Sequence, residues 1–240
     1  FERGKRVSVL RLTGGAGGLN NQALIYNAGT GPQEIIGGPS ITLTAGTGGV
    51  YIRDLDYALG NHARISGNGD LVIDAESISL TGGASGAARA DIQAAGLTGI
   101  TAGSNVTLTG GATDLVSSYY GGLLESTTHF LRNASAAMIR GNVATSHTMT
   151  LDIYGNLVLN GGSGNGGIAF IGNWKGPVEL SASVGGSATL TGNAGGASIG
   201  SGVSATTGGN MNYVDLLVAG ALTLNGGSNT AYGNAANGFG

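Results

Sequence analysis

The sequence predicts an all-β fold: a single-stranded parallel β-helix, or β-solenoid, of about 7 to 8 rungs with roughly 30 to 35 residues in each. Three observations predict it. A short phrase of alternating apolar and Thr/Ser/Asn residues that ends in glycine recurs seven times. The filler between copies alternates in the same way, and glycine makes up 49 of the 240 residues, far above the roughly 7% of ordinary domains.

The seven copies run Leu10 to Gly15, Ile41 to Gly46, Ile78 to Gly83, Val106 to Gly111, Leu157 to Gly162, Ala188 to Asn193 and Leu222 to Gly227. Their second apolar residues are Leu12, Leu43, Leu80, Leu108, Leu159, Leu190 and Leu224, separated by 31, 37, 28, 51, 31 and 34 positions. The interval of 51 reads as one copy degraded beyond recognition. Between the third and fourth phrases, Ala88 to Ile92 and Gly99 to Gly103 repeat the alternation, and Ile168 to Ile171 and Val178 to Leu180 do so after Gly162. Each period thus holds three short strands of period 2, the pattern of strands buried on one face. Two-strand coils of about 20 residues are the alternative spacing. The best helical candidates, Tyr57 to Leu59 and Ala134 to Ile139, are under two turns long.

Stacking at about 4.8 Å per rung would give a rod of roughly 35 Å. The glycine pairs belong at its corners, where the chain bends sharply, takes positive φ and lies close to the corner above. Pro32 lies in a Gly-rich link, Pro39 just before Ile41 and Pro177 immediately before the Val178 strand, where no ladder donor is lost. The aligned leucines face inward. The residues that follow them, Thr13, Thr44, Thr81, Thr109, Asn160, Thr191 and Asn225, stack in a column of hydroxyl and amide ladders, read as structural rather than as a binding site.

Charge excludes several partner classes. Ten basic and 13 acidic residues leave a net charge of −3, with no basic block to meet nucleic acid, and no apolar run is long enough for membrane insertion as a helix. The absence of cysteine removes disulfides and thiolate metal sites. Gly162 to Gly167 matches G-x-G-x-x-G, but at this glycine content roughly two matches arise by chance, and no helix pattern follows. The Gly-Gly phrases lack the recurrent Asp of calcium-binding repeats, and His62, His129 and His147 are far apart in sequence.

The stretch richest in polar chemistry runs from Tyr51 to Glu76 and holds Arg53, Asp54, Asp56, His62, Arg64, Asp70, Asp74 and Glu76. Asp54 and Asp56, two apart, share one face of a strand and could act as acid and base on a polysaccharide. Arg53 and Arg64 give the simpler account, a solvated charged loop, which is preferred. The sequons at Asn105 and Asn133 are expected by accident in an Asn-rich chain, and Tyr119, Tyr120, Phe130 and Trp174 read as residues that fill or cover a rung. No catalytic, cofactor-binding or metal-binding residue is assigned, and the protein is read as no enzyme. Two further classes are weighed: a polysaccharide-binding or polysaccharide-cleaving β-helix, and an ice- or surface-binding solenoid, which needs a regular Thr array on one outside face, whereas the Thr column here is interrupted by Asn and Ala45.

The L-T-G-G phrase, a Gly/Ser/Ala link, an A-x-I strand and a further I-T-L-T-G-G, clearest in Ile78 to Gly111 and Asn156 to Gly192, resemble the repeat region of filamentous haemagglutinin-like bacterial exoproteins. That resemblance implies a protein secreted to the extracellular space or the bacterial cell surface, folded as a right-handed β-helix and serving adhesion or matrix building. The expected domain is a single β-solenoid over residues 1–240, part of a fibre or of a longer chain. Its expected partners are other copies of itself, head to tail, or further repeats of a longer parent, with host or matrix polysaccharide as another candidate. The opening Phe1 to Arg6 lacks an initiator Met and carries four charges, a crude block against pairing, while Gly141 to Gly240 has only Asp152, Lys175, Glu179 and Asp215. End-to-end association is the corresponding expectation.

Overall fold

The structure is a computed structural model that describes residues 8–18, 20–52, 57–84, 88–112, 135–164, 167–201 and 213–227. It is all-β: no helix occurs among the described residues, and 19 of the strands form three parallel sheets. The first sheet contains β1 (Val9–Thr13), β4 (Ser40–Thr44), β9 (Ser77–Thr81), β12 (Val106–Thr109), β15 (Leu157–Asn160), β18 (Ala188–Thr191) and β21 (Leu222–Asn225), in that order. The second contains β2 (Ala23–Asn27), β7 (Ala63–Gly67), β10 (Ala90–Ala94), β13 (Ala137–Gly141), β16 (Ala169–Asn173) and β19 (Ala197–Ser201). The third contains β3 (Gln33–Ile35), β8 (Leu71–Ala75), β11 (Thr98–Ala102), β14 (His147–Ile153), β17 (Val178–Val184) and β20 (Tyr213–Val218). The chain visits first, second and third sheets in turn. Among the described residues only the antiparallel hairpin of β5 (Gly49–Ile52) and β6 (Tyr57–Gly60) interrupts that order.

Alternation decides which side of each strand is buried. In β8, Leu71, Ile73 and Ala75 are buried while Val72 and Asp74 are exposed, because successive side chains of a strand point to opposite faces. Inward residues then stack on residues of the same kind. Leu12, Leu43, Leu80, Leu108, Leu159, Leu190 and Leu224 pair strand to strand through the whole first sheet. Ile25, Ile65, Ile92, Ile139, Ile171 and Ile199 do the same in the second. Residues from all three sheets meet in one apolar cluster. The predicted inward leucines are there: Leu43, Leu80, Leu108 and Leu159 are fully buried, whereas Leu224, on the last strand of its sheet, is 66% exposed.

Three sequence expectations change. Residues 57–60 form β6 and residues 137–141 form β13, so neither short helical candidate is a helix where it is described; Ala134 lies outside the described residues. The interval of 51 hides no degraded copy, because β12 pairs directly with β15. The additional residues fall between β12 and β13, where 113–134 lie outside the described residues. The interval of 37 has a similar origin in the β5–β6 hairpin.

Of the two constraints expected at the phrase-ending glycines, positive φ and close approach, only the second holds at Gly161 and Gly162. Gly161 and Gly162 do not have positive φ. A Cβ on Gly162 would fall inside van der Waals contact of the Gly111 carbonyl oxygen, and one on Gly161 would do so at Gly192. Close approach of one backbone corner to the next is what demands glycine there.

Polar ladders run along the corners rather than along the Thr/Asn column. Asn105 Oδ1 accepts the Asn156 N–H at 2.8 Å, Asn156 Oδ1 accepts the Ser187 N–H at 2.8 Å, and Ser187 Oγ accepts the Ala221 N–H at 3.2 Å. Each of these residues stands just before a strand of the first sheet and supplies the next corner's backbone with a partner. Buried Asn173 also ties corner to corner, its Nδ2 facing the carbonyls of Val143 and Thr145 between β13 and β14 as well as that of Pro177 in its own corner. The predicted column itself is in register. Its only side-chain hydrogen bond among the described residues joins Asn225 Nδ2 to Thr191 Oγ1 at 3.5 Å.

Candidate functional site

The three sheets present three chemically different outer faces. On the third sheet, Glu34, Asp74, Asp152, Glu179 and Asp215 point outward and are exposed, giving an acidic surface. On the first, the outward residues are almost all Thr, Ser, Asn or Val. The second sheet is the exception, because from β7 to β16 most of its outer face is buried too, although Leu24 and Tyr26 on its edge strand β2 are exposed. All five residues of β13 and all five of β16 are buried. Met138, Phe170, Ile168, Ala136 and Trp174 make a second apolar cluster separate from the core, with Phe170 and Trp174 edge to face at 5.2 Å. Trp174 therefore fills a covered surface, as expected for it; Tyr119, Tyr120 and Phe130 lie outside the described residues.

Next to that cluster sits the densest charged constellation. Asp91 is fully buried on the outer face of β10, opposite Arg64 of β7. Arg140 of β13 grips the Asp91 carboxylate with two hydrogen bonds, Nε to Oδ1 at 3.0 Å and Nη2 to Oδ2 at 2.8 Å. The same guanidinium donates to Gln93 Oε1 at 2.5 Å and to Asn142 Oδ1 at 3.4 Å. Arg64 Nε stands 3.5 Å from Asp91 Oδ2, an ion-pair distance without a hydrogen bond. Burial would raise the Asp91 pKa, but Arg140 and Arg64 outweigh it and hold the carboxyl well below the usual carboxylate range. Burial, then Arg64 and Arg140, push the Arg89 guanidinium down; it remains a cation at neutral pH because arginine starts so high.

His62 closes the group. Its Nδ1 accepts the Arg89 backbone N–H at 3.0 Å, and burial, then Arg89 and Arg64, lower its pKa to about 2. The ring is neutral, with one nitrogen engaged by backbone. The folded protein holds no proton there at pH 5, whereas the unfolded chain takes one up below about 6.5. Stability is thus complete above that pH and falls as the pH drops beneath it, by up to about 1.4 kcal/mol per unit. The urea midpoint is expected to drop between about pH 7 and about pH 5, and His62→Asn to flatten the drop. An equally steep fall in the variant would assign the acid sensitivity elsewhere.

The stretch from Tyr51 to Glu76 is split by the fold. His62 and Arg64 go to the second sheet, while Asp70 and Asp74 go to the third, where Asp70 Oδ1 accepts the Leu97 N–H at 2.8 Å. Arg64 is no solvated loop residue: it lies within β7 with its side chain 18% exposed. Arg53, Asp54 and Asp56 lie outside the described residues, as do His129 and Asn133. His147 opens β14, where Nε2 is 3.0 Å from Thr98 Oγ1 beside a shallow depression lined by Leu97, Ser146 and Thr148. Burial lowers its pKa. Among the described residues no group of three His, Asp or Glu could hold a metal ion.

Arg89, Asp91, Gln93, Arg140 and Asn142 went unremarked as chemistry in the sequence. Their signal was the registration of Ile65, Ile92 and Ile139, which sets Asp91 opposite Arg64 and Gln93 opposite Arg140. Of the Gly162 to Gly167 match, residues 165–166 lie outside the described residues, and the element that follows is the strand β16 and not a helix. Comparison with protein-family models, curated proteins and solved structures yields no match to this chain.

Proposed function

We propose that the chain is a parallel β-helix, each turn adding one strand to each sheet, and that it serves as a non-catalytic structural or adhesive shaft of an extracellular bacterial fibre or cell surface. In this reading the described strands make six turns and the first strand of a seventh. One observation carries it: the leucine column holds register through all seven strands of the first sheet, while Asn105, Asn156 and Ser187 tie corner to corner beside it. A sequence that commits its amides to stacking builds length. The chemistry of the buried cluster supports the same reading. Asp91 is held ionised by two hydrogen bonds from Arg140, and His62 is held neutral, so neither is free to exchange protons with a substrate. The likeness of the L-T-G-G phrases to filamentous haemagglutinin-like repeats adds the extracellular setting.

End-to-end stacking belongs to this proposal. The strands at one extreme of the sheets expose Leu217, Leu222 and Leu224 at 69, 52 and 66%, and open strand edges recruit further strands. Light scattering over rising concentration, with electron microscopy of the same samples, should show linear particles that lengthen at constant width. A monodisperse monomer throughout sinks the homopolymer and leaves a covalently longer parent; globular particles sink the shaft itself.

A further inference from the structure

The outer face of the first sheet is the surface that the shaft reading leaves without a role. Alternation places two columns there. One runs Arg11, Thr42, Ser79, Thr107, Val158, Thr189, Thr223, and the other Thr13, Thr44, Thr81, Thr109, Asn160, Thr191, Asn225. From β4 to β18 these side chains are half-buried against one another while the leucines between them point inward. The burial pattern agrees with the inward leucines expected from the sequence and puts these two columns on the outside.

Three properties of this face point to one occupant. First, it is a two-dimensional lattice, with neighbours about 4.8 Å apart across strands and roughly 6.6 Å apart along them. The register runs through all seven strands without a slip. Second, its hydroxyls are unengaged. Apart from Thr191, none of the Thr or Ser hydroxyls in the two columns makes a side-chain hydrogen bond among the described residues, in contrast to the corner amides. Third, the face is uncharged except for Arg11 on the edge strand, whereas the exposed carboxylates gather on the third sheet.

A regular array of paired methyl and hydroxyl groups can order water without the tightly held, radially oriented hydration shell that a charge imposes. Hexagonal ice repeats its oxygen atoms at spacings close to both of those of the array. We infer that this face binds the surface of ice, the threonine hydroxyls taking lattice positions and their methyls filling the gaps between them. A polysaccharide would be the other extended ligand, but no aromatic ring stands in either column to stack on sugar.

The inference goes beyond the shaft reading and fails independently of it. The full chain, fluorescently labelled, is frozen slowly from dilute buffer and its partition into the growing ice is measured alongside thermal hysteresis. Wild type should enter the ice and shape the crystals. Thr107→Tyr and Thr189→Tyr, whose outward rings break the lattice without touching the core, should lose most of that uptake while keeping the wild-type circular dichroism. Asp74→Lys, on the acidic face, should keep it. Exclusion of wild type from the ice overturns the inference, as does equal uptake by the tyrosine variants. Binding to crystalline cellulose or chitin in place of ice overturns it too, and so does lateral pairing of two copies abolished by the same tyrosines. A chain that fails to form fibres yet enters ice leaves it standing.

Discussion

Leu108→Asp is expected to abolish folding, and Leu108→Ala to cost about 2 to 5 kcal/mol. Leu108 is fully buried and stacked between Leu80 and Leu159, so an aspartate there would carry a charge into an interior with no cation to meet it. The matched control is its neighbour Thr107, which points outward from the same strand. Thr107→Asp should stay within about 0.5 kcal/mol of wild type, as surface substitutions usually do. Urea titration followed by circular dichroism separates the pair. If Leu108→Asp folds as well as Thr107→Asp, the two faces of the first sheet have been exchanged.

Asp91→Ala should cost about 3 to 5 kcal/mol, because it leaves Arg140 and Arg64 buried or half-buried without their shared anion. Replacing Asp91 and Arg140 together by Leu and Met should recover part of that loss, since the double change removes the guanidinium that Asp91 binds most closely while Arg64 is still left without its anion. The acid dependence follows from the direction of the Asp91 shift. Its folded pKa lies below its unfolded value, so the stabilisation is complete above the unfolded pKa near 3.9 and is lost as the pH falls through the folded one. Wild type should therefore lose stability below about pH 4 more steeply than Asp91→Ala. A double variant as unstable as the single would show that shape at this site matters more than charge.

Much of the fold could be read from the sequence because its strongest signal, period-2 alternation ending in Gly-Gly, is also the signal that sets register. The alignment of Leu12 through Leu224 on paper is the pairing found in the first sheet. Spacing misled where a segment is inserted, since an interval of 51 looks the same whether a copy has decayed or residues have been added at a corner. The covered outer face of the second sheet did leave a trace. Ala136 to Ile139 and Ile168 to Ile171 are continuous apolar runs, as expected of strands buried on both sides. The charged cluster was harder. Asp91 and Arg140 are 49 residues apart, and a carboxylate between Ala90 and Ile92 looks like any solvent-facing position until its neighbours above and below are known.

The parallel ladders described above have a mechanical consequence. In the proposed β-helix every inter-strand hydrogen bond of the three sheets points along the stacking direction, so a pull applied to the two ends of the stack would load those bonds head-on, and they would open one after another instead of shearing together. Resistance to tension is then set by a single outermost layer, while the layers beneath stay intact. The length released is large. A layer that rises about 4.8 Å while folded contains 31 residues between Leu159 and Leu190, which at about 3.3 Å each span roughly 100 Å when drawn out. Peeling one layer thus lengthens it about twentyfold, so such a protein yields to force by paying out slack in steps and rewinds from the remaining edge when the load is removed.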